Sequence, residues 1–407
     1  MQLNQAVKQL NSYSHTATIR HSGISFVGSV INGILGIVYF FYLASKLSPD
    51  NFGRFSIAVG LITIGFSIFN FGLDQSIVKF KSDLQILANI LFTKITIALI
   101  VAISILIIFG SDNLFGLVGL GIGAQLLFSL SVSFLQSWQR YYSWAGIFIA
   151  TNLFRLLASV YLPSINPIYH LIIYISLPFM GFIVFYLIYF SSLPKPSFQF
   201  SVFKKLFQFN AHLSVNSIFS AITAKLDSFF IAGFQSFAVA GVYSLASQLA
   251  SSVSQLTSAY SAVISPKFSS LDTPAKNTQY LKKNLIFSSV ISLLLIPGIL
   301  LTGYLLFTLS GNNFSQAFIP LLLLLLGMSI FFASIPMRDS LLYFYGDAKI
   351  FSRLSGYSLL FSVFTGFIFI RPFGPPAAAT SFLVIQIISV IILVNRYVSQ
   401  NRRSHRS

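Results

Sequence analysis

Three ionisable side chains lie inside segments that are otherwise apolar, namely Arg155, Lys225 and Asp227. A charged side chain at the centre of a bilayer costs about 2.5–3.5 kcal/mol even on insertion scales, so it normally faces a cavity or a partner. Arg presents a planar fork of donors and Lys a point charge, and both suit phosphate or diphosphate. These residues therefore indicate a basic cavity that receives an anion. A buried ion pair of Asp227 with Arg155 or Lys225 is the alternative.

The spacing of these residues limits what each can do. Asn152 precedes Arg155 by three residues and so shares its helix face. Asp227 lies roughly 200° around the helix from Lys225, so the two do not pair along it. A buried carboxylate can titrate, which makes Asp227 the candidate site for a coupling H⁺ or Na⁺. The predicted substrate-binding residues are Arg155, Lys225, Arg54, Asn152, Gln248, Gln255, Ser251 and Asn70.

Two segments each carry a continuous face of polar or small residues, spaced by three or four positions as on one side of a helix. The first face consists of Ser56, Gly60, Thr63, Ser67, Asn70 and Asp74. The second consists of Ser244, Gln248, Ser251, Gln255, Ser258 and Ala262. We interpret the two faces as meeting across a hydrated cavity. Close packing of helices through small residues is the alternative.

The elements that must hold these residues are membrane-spanning helices. Of the 407 residues, 55% are hydrophobic and only 8% are charged, too few to cover a soluble domain. A bilayer core of about 30 Å takes roughly 20 helical residues. About twelve such spans are recognisable, at 22–45, 53–73, 88–110, 114–136, 143–162, 168–190, 209–233, 238–263, 284–308, 315–335, 350–370 and 376–396. We therefore predict an all-α polytopic membrane protein.

Most of the 25 Lys and Arg residues fall in the even-numbered connections or the tails. The exceptions are Arg155, Lys225, Lys46, Arg54 and Arg371. On this interpretation Lys94 and Arg338 belong to the even-numbered connections. The pattern obeys the positive-inside rule for a protein with both termini in the cytoplasm. It accounts for the net charge of +17 without nucleic acid as a partner, and it favours contact with anionic membrane lipids.

The chain contains an internal repeat. Residues 40–60 align with 228–248, so that Gly53 falls on Gly241, and further along 141–148 resembles 344–351. A repeat of this kind predicts two parallel six-helix lobes related by an axis along the membrane normal. The predicted lobes are 1–195 and 196–407, the second ending in a short basic cytoplasmic tail. Chance similarity between apolar segments is the alternative.

No enzymatic pattern is recognisable, whether G-x-S-x-G, a P-loop or a metal-ligand cluster. The chain has no Cys, and its 8 acidic residues are all Asp. We therefore expect neither a metal site nor a cofactor. The short predicted outer connections leave little room for a catalytic domain. These features favour a transporter over a membrane enzyme that polymerises or transfers glycans.

Two stretches carry a recognisable order of motifs. Residues 42–80 contain Gly53-Arg54-Phe55 and then Phe71-Gly72-Leu73. Residues 227–269 contain Asp227, a short turn, Ala240-Gly241-Val242-Tyr243 and a closing Pro266. Both stretches resemble polysaccharide flippases and exporters of the Wzx type, in the multidrug/oligosaccharidyl-lipid/polysaccharide (MOP) superfamily.

The resemblance implies a flippase that moves an oligosaccharide on undecaprenyl diphosphate from the cytoplasmic to the outer leaflet. Such flippases work by alternating access during the synthesis of surface polysaccharides such as O-antigen. We accordingly expect a multi-pass monomer in a bacterial inner membrane. Because titratable residues are few, the membrane potential or consumption of the substrate outside is an alternative to ion coupling. The alternative function is a cation-coupled exporter of small molecules or drugs of the same superfamily.

Overall fold

A computed structural model describes residues 27–110, 113–162, 165–309, 316–347 and 349–404. The helices are α1 (Val27–Lys46), α2 (Pro49–Asn70), α3 (Leu73–Lys79), α4 (Leu84–Phe109), α5 (Leu117–Ser137), α6 (Tyr141–Tyr161), α7 (Pro167–Tyr189), α8 (Phe200–Phe234), α9 (Phe237–Ser269), α10 (Pro274–Leu309), α11 (Phe318–Ala333), α12 (Ile335–Asp339), α13 (Lys349–Thr365), α14 (Arg371–Phe373) and α15 (Pro375–Ser404). Segments of π-helix continue α12 and α13. No strand occurs in the residues described, and the prediction of an all-α protein is confirmed.

Length and apolarity identify ten of the described helices as membrane spans, and the bent pair α11–α12 gives an eleventh. Helix α9, with 33 residues, does not meet this criterion and carries the second polar face. With α9 included, each predicted span corresponds to a helix. Leu99, Ile103 and Ile107 of α4 are more than half exposed, as expected where a helix faces lipid. The chain is therefore a multi-pass membrane protein.

Two helices at the lobe contact begin at a capping serine that lies between two predicted spans. Ser48 caps α2 by accepting a hydrogen bond from a backbone N–H of its first turn, and Pro49 occupies the first position. Ser236 caps α9 in the same way. Between the predicted spans 350–370 and 376–396, α14 is helical, and Gly374 with φ +62° separates it from α15.

Consecutive long helices are joined by short connections, so they run antiparallel and their connections alternate between the two ends of the molecule. Lys79, Arg140 and Lys267 consequently lie at one end, which we call the basic end. Its assignment to the cytoplasm, and with it the location of the termini, stays a prediction. Lys94 and Arg338 were wrongly assigned to connections, since α4 contains the first and α12 the second.

The helices form two lobes, an N lobe of α1–α7 and a C lobe of α8–α15. Helix α2 packs against both α8 and α9 where the lobes meet. One continuous apolar core runs through this contact and includes the fully buried Phe52 and Leu245. The connection before α8 rests on the N lobe, where the Asn89 side-chain amide donates to the carbonyl of Gln199 at 2.9 Å. The predicted boundary at residue 195 stays a prediction.

Helices α2 and α9 cross at Gly53 and Gly241, the two glycines that the repeat places on each other. A Cβ at Gly53 would lie 1.8 Å from the carbonyl oxygen of Phe237, and one at Gly241 would lie 2.3 Å from that of Pro49. The two backbones therefore touch, which only residues without a side chain permit. The lobes are thus in direct contact at the end opposite the basic end.

An ion pair and its hydrogen bonds join four helices of the N lobe. Lys94 of α4 is 0% exposed, and its Nζ lies 2.5 Å from Asp74 Oδ1 of α3. The same Nζ donates to Ser129 at 2.7 Å, and Ser133 donates to the Asp74 carboxylate at 3.0 Å. Asn70 of α2 donates to the other carboxylate oxygen at 2.9 Å. The network satisfies both charges within the lobe.

Replacing Gly53 with Ala should destabilise the protein, because the new Cβ meets backbone that cannot move aside. Overpacking of this kind costs about 1–3 kcal/mol. The thermal unfolding midpoint of detergent-purified protein measures the effect. Gly146→Ala in α6 is the matched control, since no atom lies within 4 Å of its Cβ position. The control should unfold at the wild-type temperature or above it, and equal midpoints for the two variants would contradict the close crossing.

Replacing Lys94 with Met should cost about 3–5 kcal/mol of unfolding free energy, because the Asp74 carboxylate loses its counter-charge. Adding Asp74→Asn should restore much of this loss. Denaturant titration of the detergent-solubilised protein measures the unfolding free energy of Lys94→Met, Asp74→Asn and the double variant. Lys349→Met, at an exposed lysine of the basic end, should leave stability unchanged. A double variant that loses the sum of the two single effects would show that the two charges do not interact.

Candidate functional site

The two predicted polar faces meet at the junction of the lobes. Ser56 and Gly60 of α2, Lys225 of α8, and Ser244 and Gln248 of α9 line one narrow cavity. Its volume of about 10 Å³ leaves room for about one water molecule. The cavity therefore brings polar groups of both lobes close together. The contact of Gly53 with Gly241 lies on the side of the cavity away from the basic end.

Lys225 is the charged group of this cavity. Its side chain has neither an ion pair nor a hydrogen bond among the residues described. Gly60 allows α2 to approach it, since a Cβ there would lie 3.7 Å from Lys225 Cδ and 3.4 Å from the Phe229 ring. The hydroxyl of Ser56 is buried and also lacks a partner. The cavity thus offers an ammonium and a hydroxyl whose hydrogen-bonding capacity is unused.

Asp227 does not neutralise Lys225. Its carboxylate faces α9 and accepts a hydrogen bond from the Tyr243 hydroxyl at 3.0 Å. The buried ion pair that the sequence left open as an alternative is not formed in this structure. The different directions of Lys225 and Asp227 follow from their spacing of two residues on one helix.

Arg155 lies inside the N lobe, between α1, α6 and α7. It is 8% exposed, and its guanidinium donates to Asn152 at 2.6 Å and to the backbone carbonyl of Tyr174 at 3.4 Å. The guanidinium stacks 4.2 Å from the centre of the Tyr174 ring and faces the Tyr39 ring at 5.7 Å. Asn152 in turn donates to Asn32 of α1 at 2.5 Å. No carboxylate pairs with Arg155 among the described residues.

The sequence analysis assumed that Arg155 and Lys225 line one cavity. The structure places them in two separate sites. Helix α1 separates them: Tyr39 faces Arg155, whereas the next residue, Phe40, lines the cavity of Lys225. The sequence places Arg155 near the midplane of the membrane and Lys225 in the outer half of its span. It gives no information on which side of α1 each of them lies.

Arg54 lies at the rim of the lobe contact. Its Nε pairs with Asp50 at 2.8 Å, with both side chains 47% exposed, and its guanidinium stacks 4.7 Å from the Phe237 ring of α9. The spacing of four residues between Asp50 and Arg54 is typical of a pair on one helix and could have predicted this partner.

The remaining predicted residues divide between the cavity and the lobe interior. Gln248 lines the cavity, and Ser251 donates to its backbone carbonyl at 2.8 Å and to its side chain at 3.3 Å. Asn70 is buried in the N lobe beside the Lys94 network. The side chain of Gln255 lies outside the described residues.

The sequence analysis missed six residues that line the cavity. Three of these six lie on α1 or beside Lys225 on α8, and two of the three had a signal. Ser228 and Phe229 follow Lys225 by three and four residues, which places them on its helix face. The third, Phe40, is one of many Phe in the chain and had none. Together the lining offers hydroxyls, an amide and one ammonium, which suit an anion bearing oxygen acceptors.

Solved structures of several membrane transporters are similar to this chain. An inward-facing MATE multidrug resistance transporter of the MOP superfamily has a TM-score of 0.64 at 12% identity, over 96% of this chain and 99% of that chain. The lipid II flippase MurJ, in an inward closed conformation, has a TM-score of 0.62 at 14% identity, over 95% of this chain and 90% of that chain. The MATE transporter VcmN of Vibrio cholerae has a TM-score of 0.57 at 12% identity, over 95% and 98%. At these identities the similarity shows a common fold.

A family model described as polysaccharide biosynthesis protein matches residues 42–319, more than half of the chain. No curated protein sequence matches this chain. The matched region contains both stretches, 42–80 and 227–269, on which the predicted resemblance was based. This chain belongs to the polysaccharide biosynthesis protein family and has the fold of the MOP-superfamily transporters.

Proposed function

We propose that the protein is a flippase for a lipid-linked oligosaccharide whose headgroup carries a diphosphate. It moves this headgroup from the cytoplasmic to the outer leaflet of a bacterial inner membrane by alternating access. The observation that carries the proposal is the unpaired Lys225 ammonium at the junction of the two lobes. Family membership supports a role in polysaccharide synthesis, and the fold shared with the lipid II flippase MurJ supports a lipid-linked substrate.

The chemistry of the cavity fits a diphosphate. An ammonium without a carboxylate partner binds a phosphate oxygen through a short, charge-assisted hydrogen bond. Ser56 and Gln248 add neutral donors on either side of Lys225. Both lobes contribute to the cavity, so binding of a shared anion would be sensitive to their separation. The undecaprenyl chain needs no polar site and stays in the lipid.

The size of the cavity supports alternating access. At about 10 Å³ it cannot hold a sugar diphosphate, so the lobes must part to admit one. The closed contact at Gly53 and Gly241 lies at the end opposite the basic end, and the substrate enters from the basic end. A rigid-body movement of one lobe against the other would then expose the headgroup on the far side.

Replacing Lys225 with Ala should abolish export of the surface polysaccharide without affecting membrane insertion, because the diphosphate loses its only charged partner in the cavity. Lys225→Arg should retain part of the export. Complementation of a strain that lacks the gene measures this, with surface polymer and accumulated lipid-linked precursor quantified together. Lys349→Ala is the control for loss of one positive charge. Normal export by the Lys225→Ala variant would contradict the proposal.

A cation-coupled exporter of small molecules is the second candidate, favoured by the fold shared with MATE transporters and by the half-buried carboxylate of Asp227. The same strains distinguish the two functions. Under this alternative, the Lys225→Ala strain would export polysaccharide normally. Deletion of the gene would instead raise sensitivity to small cationic drugs.

Asp227 is the proposed coupling residue of the flippase. An imposed pH or Na⁺ gradient should accelerate flipping of a fluorescent polyprenyl-diphosphate sugar in vesicles containing the wild-type protein. The Asp227→Asn variant should not respond to either gradient, because its side chain cannot exchange a proton or bind a cation. Tyr243→Phe removes only the hydrogen bond to Asp227 and should still respond. An unchanged response of Asp227→Asn would exclude this residue as the coupling site and leave the membrane potential as the driving force.

A further inference from the structure

A second polar cavity lies entirely within the C lobe. It has a volume of about 300 Å³ and is lined by residues of α8, the bent pair α11–α12, α13 and α15. Ser220, Ser355, Ser358 and Gln386 supply hydroxyl and amide groups, and Arg338 supplies a charge. Helix α8 separates this cavity from that of Lys225, since the adjacent residue, Ala224, lines its wall.

Most hydrogen-bond donors of the Arg338 guanidinium are available to a ligand in this cavity. Its Nε donates to Ser334 at 3.2 Å, and its guanidinium lies 4.5 Å from the centre of the Phe331 ring. Its terminal nitrogens have no hydrogen bond or ion pair among the described residues. The neighbouring Asp339 carboxylate is occupied instead by the Ser261 hydroxyl, at 2.8 and 3.0 Å from its two oxygens. A half-buried guanidinium therefore presents free donors to the cavity.

The cavity is the repeat counterpart of the Arg155 site. The alignment that places Gly53 on Gly241 also places Asn32 on Ser220. The alignment of 141–148 with 344–351 places Asn152 on Ser355. The hydrogen bond between Asn32 and Asn152 recurs between the Ser220 and Ser355 hydroxyls, at 3.5 Å.

The two sites differ in what fills them. In the second alignment Arg155 falls on Ser358. The N lobe fills its site with a guanidinium that packs on Tyr174. The C lobe has a small hydroxyl residue at that position, leaves the space open and supplies its arginine from α12 instead.

We propose that this cavity binds a small anionic group that also carries hydroxyls, about the size of one sugar with a phosphate. Arg338 would hold the phosphate through its free donors, and the serines and Gln386 would bind hydroxyls. A volume of about 300 Å³ is at the lower end for small-molecule sites and matches such a group. The shared chemistry occurs in a sugar phosphate and in the headgroup of phosphatidylglycerol. The site does not depend on the proposed function of Lys225.

The test uses the full-length protein in phosphatidylcholine nanodiscs and glucose 1-phosphate as the probe, with binding measured by calorimetry. Arg338→Gln removes the charge, and Ser358→Leu fills the cavity from the opposite wall. Arg353→Gln removes an exposed charge from the same lobe and is the control. Thermal unfolding of each variant identifies any that fails to fold. Nanodiscs containing phosphatidylglycerol form the second arm.

We expect Arg338→Gln and Ser358→Leu each to weaken binding of glucose 1-phosphate by about tenfold or more, as for loss of a charge-assisted hydrogen bond. Arg353→Gln should bind like the wild type. If phosphatidylglycerol competes with the probe, or raises the unfolding temperature only when Arg338 is present, the lipid headgroup is the natural occupant. Equal binding by wild type and Arg338→Gln overturns the proposal. So does a wild-type protein that neither binds the probe nor responds to phosphatidylglycerol through Arg338.

Discussion

A charged side chain inside a bilayer persists only with a partner or with access to polar groups, and this constraint organises the whole protein. Lys94 and Asp74 satisfy each other within the N lobe, and their network joins α2, α3, α4 and α5. Lys225, Arg155 and Arg338 have no carboxylate partner among the described residues. Arg155 is held by hydrogen bonds and an aromatic stack, whereas Lys225 and the terminal nitrogens of Arg338 have no partner among the described residues and point to ligands or to movement rather than to folding alone.

The lobe junction combines a rigid contact with an adaptable one. At Gly53 and Gly241 the backbones touch, and the position of α2 against α9 is fixed to within the size of a methyl group. Towards the basic end, the same two helices separate enough to admit Lys225 between them, with small polar residues around it. When the helices separate, water can bind the hydroxyls and the flexible ammonium at little cost in free energy. Exposing packed apolar residues to water would cost more. The chemistry of the junction therefore permits the lobes to part where a charged headgroup would enter.

Much of the fold could be predicted because it follows from local rules. Apolar length predicts the helices, and the internal repeat aligns Gly53 with Gly241, although the alignment did not predict that the two glycines touch. The position of Lys94 was misjudged because its partner, Asp74, is distant in sequence and lies on the short helix that follows the turn at Phe71 and Gly72. The candidate site was predicted only in part, since periodicity tells which face a residue occupies but not which neighbour that face meets.

The same limit explains the separation of Arg155 from Lys225, and the repeat shows why it matters. Two lobes descended from one unit would each keep a site enclosed by their first and fifth spans. The N lobe fills this site with Arg155 and an aromatic ring, and the rigid stack holds α1 between α6 and α7. The C lobe has Ser358 at the corresponding position and leaves a cavity. Helix α8 therefore has polar space on both sides, and a ligand in the C-lobe cavity would limit how far α8 can move when the lobes part. Such a cavity, if occupied, is placed to influence transport without touching the substrate.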